Sequence, residues 1–327
     1  MNKLLPERRE ISMPELITLG ETMASFSPQT SGPLRYISDY KIHIAGAESN
    51  VAIGITKLGH SAGFISALGN DEFGHYILNF IRGEGVLCDK VKFDSEHPTG
   101  IMFKETSSSE TRVFYYRENS AASFLSPQDI DEVYIARAKI LHLTGITPIL
   151  SSSCKEALYT AMAYAKKHKL LISFDPNIRK KLWKNKDYRP LIKDILFQSN
   201  IILLGLDEAE TLFETNKEDE ILDILLSKDN IQYVAIKNGA KGAWVATKNK
   251  TGFIPPYPCS PVDPIGAGDA FNAAFLSGIL EEKDILLCGQ MAAIAGALAT
   301  ETHGDVEGLP TKEKLEALLN HKKEIDR

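Results

Sequence analysis

Short apolar runs alternate with helical patterns along most of the chain from about Glu15 onward. In the stretch 48–59, for example, Val51, Ile55 and Leu58 recur at the spacing that places side chains on one face of a helix, and Gly59 follows as a stop signal. Apolar strands that alternate with helices indicate an α/β protein whose mostly parallel sheet is covered on both faces. The pattern predicts strands at 16–20, 63–69, 140–146, 170–175, 200–204 and 231–239, and helices at 48–59, 72–85, 152–169, 189–198, 207–214, 267–280, 284–300 and 311–323.

Two segments interrupt this alternation. Residues 21–45 and 96–121 contain Thr-, Ser- and Tyr-rich stretches such as "TGIMFKE" and "TRVFYYRE", in which polar and apolar residues alternate with the period of a strand. We expect these two excursions to form a small β-lid, since such lids commonly close over substrates. The alternative is an extension of the sheet edge with no functional motion. Residues 14–320 are predicted to form a single domain that includes this lid. An N-terminal extension at 1–13 precedes it and a C-terminal tail at 321–327 follows it.

Composition narrows the class of protein. The chain has 327 residues, 43% of them hydrophobic and 24% charged, as in an ordinary soluble domain. Its net charge of −6 argues against a nucleic-acid partner. No apolar run is long enough for a membrane span, and the first twelve residues do not resemble a signal peptide. Four well-separated cysteines favour free thiols in a reducing compartment, so we expect a cytoplasmic protein.

The sequence "VDPIGAGDAF" at 262–271 carries the strongest chemical signal. It precedes a helical pattern, and the free N–H groups at a helix start form an anion site with the positive end of the helix dipole. Gly266 and Gly268 let the main chain approach an anion closely because they lack a Cβ. A carboxylate at Asp269 is an unusual neighbour for an anion, unless it accepts a proton from a hydroxyl that attacks a bound phosphate.

Other glycine-rich signatures fit less well. A dinucleotide-binding fingerprint G-x-G-x-x-G requires a third glycine where this chain has Phe271, and it occurs near the first strand rather than late in the chain. No G-x-x-x-x-G-K-[ST] motif is present. The remaining alternative is a glycine turn that only starts a helix.

Together with "HIAGAESNVAIGITKLG" at 43–59, the glycine turn resembles the signatures of the PfkB, or ribokinase-like, carbohydrate kinases, over about residues 15–320. The resemblance implies a three-layer sandwich with a β-lid over the sugar, and transfer of the γ-phosphoryl group of ATP, with Mg²⁺, to a sugar hydroxyl. It implies that Asp269 is the catalytic base and that Gly46 and Asn50 contact the sugar. The anion hole would be formed by the N–H groups of Gly266, Ala267 and Gly268.

The same resemblance assigns the nucleotide side to "IKNGAKGA" at 236–243, with Lys237, Gly239 and Gly242 near the phosphates or nucleoside. A surface lysine beside a hairpin turn is the alternative. Two departures from the family pattern concern cations. In the Asn-x-x-Glu element Gly205 replaces the Asn, while Glu208 remains as the expected magnesium-linked residue. Pro264 stands after Asp263 where the family usually has Thr, and this replacement weakens the case for a monovalent-cation site.

Local residues bear on which sugar is bound. Tyr115 and Arg117 share one side of a lid strand, and Arg179 follows a strand end, where open α/β sheets bind ligands. Two arginines in one pocket suit a substrate with its own carboxylate. These motifs, with "LTGI" at 143–146, resemble those of 2-keto-3-deoxygluconate kinases, which implies that the three side chains bind the acid sugar and that Ile146 and Gly46 form walls.

Several alternatives stay open. Met102 stands where those kinases often have a further substrate tyrosine, and "DPN-x-R" also occurs in fructokinases. Arg117 could be a solvated lid residue, and Arg179 could serve ATP. A neutral-sugar kinase of the fructokinase or ribokinase type is the runner-up, and a sugar- or nucleotide-binding protein without catalysis is the third interpretation. Lids of this family often pair, so the resemblance implies a homo-oligomer through the lid, and exposed strand edges favour it.

Overall fold

The computed structural model describes residues 13–106 and 111–320. The expected N-terminal extension, apart from Met13, and the expected C-terminal tail lie outside the described residues. The strands are β1 (Leu16–Leu19), β2 (Met23–Pro28), β3 (Tyr40–Ala45), β4 (Ala62–Gly69), β5 (Leu87–Asp94), β6 (Ile101–Thr106), β7 (Thr111–Tyr116), β8 (Ile140–Thr144), β9 (Leu171–Asp175), β10 (Ile201–Gly205), β11 (Tyr233–Lys237), β12 (Ala243–Ala246) and β13 (Thr251–Ile254). The helices are α1 (Ala47–Lys57), α2 (Glu72–Gly83), α3 (Glu132–Ile135), α4 (Thr147–Leu150), α5 (Ser152–Lys167), α6 (Lys180–Trp183), α7 (Arg189–Phe197), α8 (Leu206–Phe213), α9 (Glu218–Leu226), α10 (Ala267–Leu280), α11 (Ile285–Ala299) and α12 (Lys312–Leu319).

Nine strands form the main sheet, in the order β13-β12-β11-β10-β9-β8-β1-β4-β5. Seven neighbouring strands, from β5 across to β11, pair in parallel, while β12 and β13 continue the sheet antiparallel. The prediction of an α/β protein with a mostly parallel sheet is therefore confirmed. Strand order reverses beside β1, because the chain runs from β1 to β4 and β5 and then returns to β8 on the other side. Such a reversal leaves a crevice at the carboxyl ends of the strands.

Helices cover both faces of the main sheet and give two hydrophobic cores. Successive residues of β1 point to opposite faces, so Leu16 lies in one core and Ile17 in the other. The first core is closed by α1, α2, α10, α11 and α12, and the second by α3, α5, α7, α8 and α9. The result is the three-layer sandwich that the family resemblance implied.

The segments expected to form a β-lid contribute a separate four-stranded sheet, called the small sheet below, in the order β3-β2-β6-β7. One face is directed toward the body of the protein and aligns His43, Ser25, Met102 and Tyr115 across the four strands. The opposite face carries aromatic side chains, including the stacked pair Phe26 and Phe103. The first face therefore buries His43, Ser25 and Met102, while the aromatic face contributes Phe26 to a contact with Phe73 of α2.

The sequence pattern missed several elements of the structure. Strand β5, the β12–β13 pair and helix α9 were not predicted. Strand β5 is an edge strand with charged residues, such as Lys90 and Lys92, that break its apolar run. The β12–β13 pair is formed by two four-residue strands. Such short strands give little periodic signal.

Candidate active site

Polar side chains gather at the carboxyl-terminal edge of the main sheet, where its strands end. Glu21 follows β1, Thr144 ends β8, Asp175 ends β9 and Lys237 ends β11. Because these strands are parallel and adjacent or nearly so, their ends meet along one edge. This is the edge at which open α/β sheets bind ligands.

The glycine turn reaches this edge at the start of α10. Gly266 is the N-cap of that helix with φ of +80°, a conformation that favours glycine. A Cβ at Gly266 would lie 2.3 Å from the main-chain oxygen of Asp305, so no larger residue fits. Upstream, Asp263 Oδ1 accepts a 3.1 Å hydrogen bond from the N–H of Ile265, which fixes the turn. The first N–H groups of the 14-residue helix form the predicted anion site, although the N–H of Ala267 already makes a long, 3.4 Å bond to the main-chain oxygen of Pro264.

Asp269 lies in the first turn of α10 and is half-buried. Its Oδ2 accepts a 2.8 Å hydrogen bond from Asn50 Nδ2 of α1. Burial raises the pKa of Asp269 to about 7, and the negative charges of Asp175 and Asp305 act in the same direction. The hydrogen bond from Asn50 and the positive charge of Arg179 oppose that rise. A carboxyl group whose pKa is near neutrality suits a general base, because it can both accept and release a proton at that pH.

A buried polar network lies beside the turn. Lys237 Nζ donates to Asp175 Oδ2 at 2.8 Å and to Asn272 Oδ1 at 3.2 Å, and Asn272 Nδ2 donates to Asp175 Oδ2 at 2.5 Å. Burial by itself raises the pKa of Asp175, but Lys237 and Asn272 hold it below its ordinary value. The ammonium of Lys237 also lies 3.9 Å from the place that a Cβ on Gly268 would take. The structure thus places a cation directly beside the predicted anion hole.

Gly239 and Gly242 flank the tight turn that joins β11 to the antiparallel β12. Both have positive φ values, +52° and +100°. A Cβ at Gly242 would lie 2.4 Å from the main-chain oxygen of Ile254, whereas the space around Gly239 is open. Their conformations explain the choice of glycine, and their contact with a nucleotide remains a prediction.

Glu208, the residue expected near magnesium, is committed to the main chain. Its Oε2 accepts from the N–H of Gly205 and its Oε1 from the N–H of Ile178, each at 2.7 Å. Burial, followed by the negative charge of Asp175, raises the pKa of Glu208 to about 7. Among residues 13–106 and 111–320 no group of three or more His, Cys, Asp or Glu side chains could hold a metal ion. Both oxygens of Glu208 already accept from the main chain, so its link to a magnesium ion remains a prediction and would have to run through water.

Tyr115 and Arg179 line one cavity of about 560 Å³ with Glu208. Arg179 is exposed and precedes α6, and Tyr115 reaches the cavity from β7 of the small sheet. The remaining lining residues are of both charges or apolar: Ile178, Lys180, Lys181, Asp207, Glu210 and Thr211. The structure therefore brings two of the three predicted acid-sugar residues together.

Arg117 requires a correction to the sequence argument, which took two arginines in one pocket as available to a substrate with its own carboxylate. The Arg117 guanidinium forms an ion pair with Glu21, and its Nε donates to Glu21 Oε2 at 2.7 Å. Glu21 is 3% exposed and accepts a second bond, of 2.5 Å, from Ser120. The Arg117 guanidinium also lies 5.8 Å from the ring centroid of Tyr115. Arg117 is thus near the predicted site, but its charge is already balanced.

The remaining predicted sugar contacts lie on neighbouring loops. Gly46 is the N-cap of α1, and a Cβ there would lie 2.5 Å from the main-chain oxygen of Glu21. Close packing between two chain segments is therefore one reason for this glycine. Ile146 is 8% exposed just after β8, and its N–H donates to Thr144 Oγ1 at 3.2 Å. Their contacts with a sugar remain predictions.

Several polar residues of the site were not found from the sequence. Glu21 follows β1 and Asp175 ends β9, so the position of these buried carboxylates after an apolar run was a usable signal, whereas Glu48 lies in the first turn of α1 and accepts from Thr144. Asp305 is the reverse case. It lies in the loop between α11 and α12, which has no periodic pattern, and only the fold places it beside Asn50.

Other sequence expectations concern the whole chain. Cys88, Cys154 and Cys288 are buried free thiols, and Cys259 is an exposed one. In the part of the chain that the structure describes, no helix is long and apolar enough to cross a membrane.

A three-layer α/β fold with a carboxylate in the first turn of a helix that follows a glycine turn is the arrangement expected of a phosphotransferase. The sequence model of the pfkB family carbohydrate kinases matches residues 13–312. The chain is 36% identical to the 2-dehydro-3-deoxygluconokinase of Bacillus subtilis (strain 168) over 315 residues, which cover 95% of this chain and 97% of the relative. This protein therefore belongs to the pfkB family of carbohydrate kinases.

Solved structures agree with this assignment. An E. coli protein in complex with ATP and Mg²⁺ superimposes with a TM-score of 0.87 at 25% identity, over 94% of this chain and 100% of that one. A variant fructokinase of Vibrio cholerae O395, with fructose, ADP and a potassium ion bound, gives a TM-score of 0.83 at 26% identity, over 94% and 99% of the two chains. The chain is therefore similar to kinases that are named after different sugars.

Proposed function

We propose that this sugar kinase transfers the γ-phosphoryl group of ATP to the terminal hydroxyl of 2-keto-3-deoxygluconate, giving its 6-phosphate. The observation that carries the proposal is Asp269, a carboxylate with a raised pKa at the N-terminus of α10, beside the amides of the glycine turn. The B. subtilis relative named 2-dehydro-3-deoxygluconokinase supports this choice of sugar.

In the proposed mechanism, Asp269 accepts the proton of the attacking hydroxyl. Asn50 holds the carboxylate through its 2.8 Å hydrogen bond, so that one oxygen stays available for the substrate. The amides of Gly266, Ala267 and Gly268 stabilise the oxygens of the transferred phosphoryl group, and Lys237 adds a positive charge nearby. When bound, ATP with Mg²⁺ would supply the phosphoryl group and neutralise its charge, and we assign Glu208 to the waters of that ion, since both of its oxygens already accept from the main chain.

Recognition of the acid group is assigned to Arg179. Its guanidinium is exposed and lines the cavity shared with Tyr115. A guanidinium binds a carboxylate through two parallel charge-assisted hydrogen bonds, while Tyr115 offers a hydroxyl and an apolar ring. Arg117, which already has Glu21 as a partner, is proposed to position Tyr115 and to contribute positive potential.

A neutral sugar is the second candidate, and one observation favours it. Because Glu21 balances the charge of Arg117, a neutral hexose does not leave two arginines without partners. The V. cholerae structure with bound fructose shows that the same fold accommodates such a sugar in another protein.

The two candidates are separated by measuring ADP release with 2-keto-3-deoxygluconate, fructose and ribose. A higher kcat/KM for the keto-deoxy acid supports the proposal, and a higher value for fructose replaces it with the second candidate. No turnover of any sugar favours a binding protein without catalysis. The rate of ADP release should be the same with and without potassium chloride, because Pro264 lacks the side-chain oxygen of the Thr that is usual at this position.

Arg179→Ala tests the acid recognition directly. We expect it to lower kcat/KM for the acid sugar by about tenfold to a hundredfold, the effect of losing a hydrogen bond to a charged group. Fructose turnover should change little. Lys186→Ala, which removes an exposed cation nearby in sequence, is the matched control. Arg117→Ala should also weaken the acid sugar more than a neutral one. An equal loss for both sugars in the Arg179 variant would contradict the assignment.

We also propose that the small sheet pairs with that of a second copy of this chain. On its outer face Tyr116 is 64% exposed and Phe114 41% exposed, and strands β3 and β7 are its edges. Sedimentation should show a dimer that Phe114→Ser with Tyr116→Ser dissociates. Phe253→Ser, on the main sheet, removes an equally exposed ring and should not. A wild-type monomer at micromolar concentration would exclude this pairing.

A further inference from the structure

A buried ion pair joins the small sheet to a loop of the main domain. Lys104 Nζ on β6 lies 3.0 Å from Asp305 Oδ1, and the two side chains are only 4% and 7% exposed. Removing two charges from water costs free energy that their attraction does not reliably return, so such a pair is weak evidence for stability. A role in placing other groups is the better account of it.

Asp305 contacts two parts of the active site. Its Oδ2 lies 3.4 Å from Asn50 Nδ2, the same atom that donates to Asp269. Its main-chain oxygen lies against Gly266, closely enough to exclude a Cβ. Asp305 is therefore in contact with both the hydrogen-bond partner of the base and the N-cap of the helix that carries the base.

The Asn50 side chain depends on these carboxylates for its position. Asn50 is 1% exposed, and its Oδ1 has no hydrogen-bond partner among the residues that the structure describes. Only Nδ2 is held, by Asp269 and Asp305. A shift of Asp305 thus changes the orientation of the amide and, with it, the carboxylate of Asp269.

A second contact ties the same loop to the small sheet. His43 Nδ1 on β3 lies 2.5 Å from Glu307 Oε1, two residues after Asp305. His43 is 3% exposed and Glu307 is 33% exposed, so only the histidine end of this contact is shielded from water. Two strands of the small sheet each present one nitrogen group to a carboxylate of one loop.

We propose that Lys104 is a positioning residue for phosphoryl transfer, which acts through Asp305 and Asn50 to hold Asp269 in its reactive orientation. The small sheet then does more than cover the sugar, because its contact with the 304–307 loop completes the geometry of the base. This inference rests on the proposed role of Asp269. It adds a residue, 201 positions away from Asp305 in sequence, that need not touch either substrate.

Lys104→Met is the test, with kinetics on whichever sugar the wild-type enzyme turns over best. We expect kcat to fall about tenfold to a hundredfold, the scale expected when a reacting group is misplaced by up to about 1 Å. The KM values for sugar and ATP should change less than about threefold, since no binding contact is removed. Lys41→Met, an exposed lysine on β3 of the same sheet, is the control and should match wild type.

Asp305→Asn supplies a second variant in case Lys104→Met does not fold. It should also lower kcat with little change in KM. If the two residues act in one chain of contacts, the double variant Lys104→Met with Asp305→Asn should lose no more kcat than the worse single variant. Additive losses, or a rise in sugar KM at constant kcat, would overturn the proposal.

Failure of this inference can be distinguished from failure of the proposed function. If Asp269→Asn retains kcat, the assignment of the base is wrong. If Asp269→Asn loses activity while Lys104→Met keeps wild-type kcat, the base stands and only the positioning role of Lys104 is wrong.

Discussion

Asn50 and Asp269 are 219 positions apart in sequence, yet the amide Nδ2 of the first donates a 2.8 Å hydrogen bond to Oδ2 of the second. The bond joins the start of α1 to the start of α10. Because two helix starts meet here, one carboxylate has both a fixed orientation and the predicted anion site beside it. This contact underlies the mechanism and most of the predictions below.

Replacing the base should abolish most of the catalysis. Asp269→Asn keeps the shape and can still accept from Asn50, but it cannot take a proton. We expect kcat to fall by about 10²–10⁴-fold with ATP binding retained, as calorimetric titration of the nucleotide would show. Asp223→Asn, on an exposed position of α9, is the matched control. A kcat within threefold of wild type would remove the base assignment.

Activity should depend on pH through the same group. Since burial raises the pKa of Asp269 to about 7, and only the ionised form accepts a proton, kcat/KM should rise with pH through about 7 and then level off. Rates from about pH 5.5 to about pH 9 test this. A profile flat down to about pH 5 would contradict it.

The stability of the folded protein should fall as pH rises through the same range, whereas activity should rise. Between its ordinary value of 3.8 and about 7, the folded state binds the Asp269 proton more tightly than the unfolded state does. This group therefore lowers the free energy of unfolding as pH rises through that window. Asp269→Asn removes the penalty, so its Tm should exceed that of wild type at pH 8 and approach it at pH 5. A variant less stable than wild type at both pH values would contradict this sign.

Loss of the Asn50 amide should shift the same ionisation. Its hydrogen bond favours the charged form of Asp269, so Asn50→Ala should raise the pKa of the base further and move the acid limb of kcat/KM upward. We also expect kcat at the plateau to fall, because the carboxylate loses its orientation. Thr56→Ala, at a half-buried position near the end of the same helix, removes hydroxyl bonds to the main-chain oxygens of Ile53 and Glu84 only, and so controls for a general loss of stability in α1. If the acid limb of the kcat/KM profile does not move in the Asn50→Ala variant, Asn50 does not stabilise the charged form of Asp269.

Packing of α1 against α10 should be sensitive to volume. A Cβ at Gly54 would lie 2.5 Å from Cβ of Ala273, so Gly54→Ala forces the helices apart. We expect a loss of about 1–3 kcal/mol in the free energy of unfolding, together with a lower kcat, because the Asn50–Asp269 contact lengthens. Gly83→Ala in α2 has open space around it and should be neutral or stabilising. Chemical denaturation and kinetics measure both, and an unaffected Gly54 variant would show that the interface adjusts freely.

The sequence by itself determined the alternation of strands and helices, and with it the α/β class and the mostly parallel sheet, since apolar periodicity is a local property. The sequence also identified the glycine turn and Asp269, because the residues of this motif are adjacent in the chain. Helix α10 begins and ends at the predicted residues, while several other ends differ by one or two positions.

Only the tertiary structure decided which groups meet at the base. Asn50, Lys104 and Asp305 come from a helix, a strand of the small sheet and an irregular loop, and no periodic pattern relates them. The same is true of Glu21, whose ion pair with Arg117 corrected the argument from two unpaired arginines. Ionisation and partner choice depend on burial and on charges distant in sequence, so they follow from the fold rather than from any one stretch of residues.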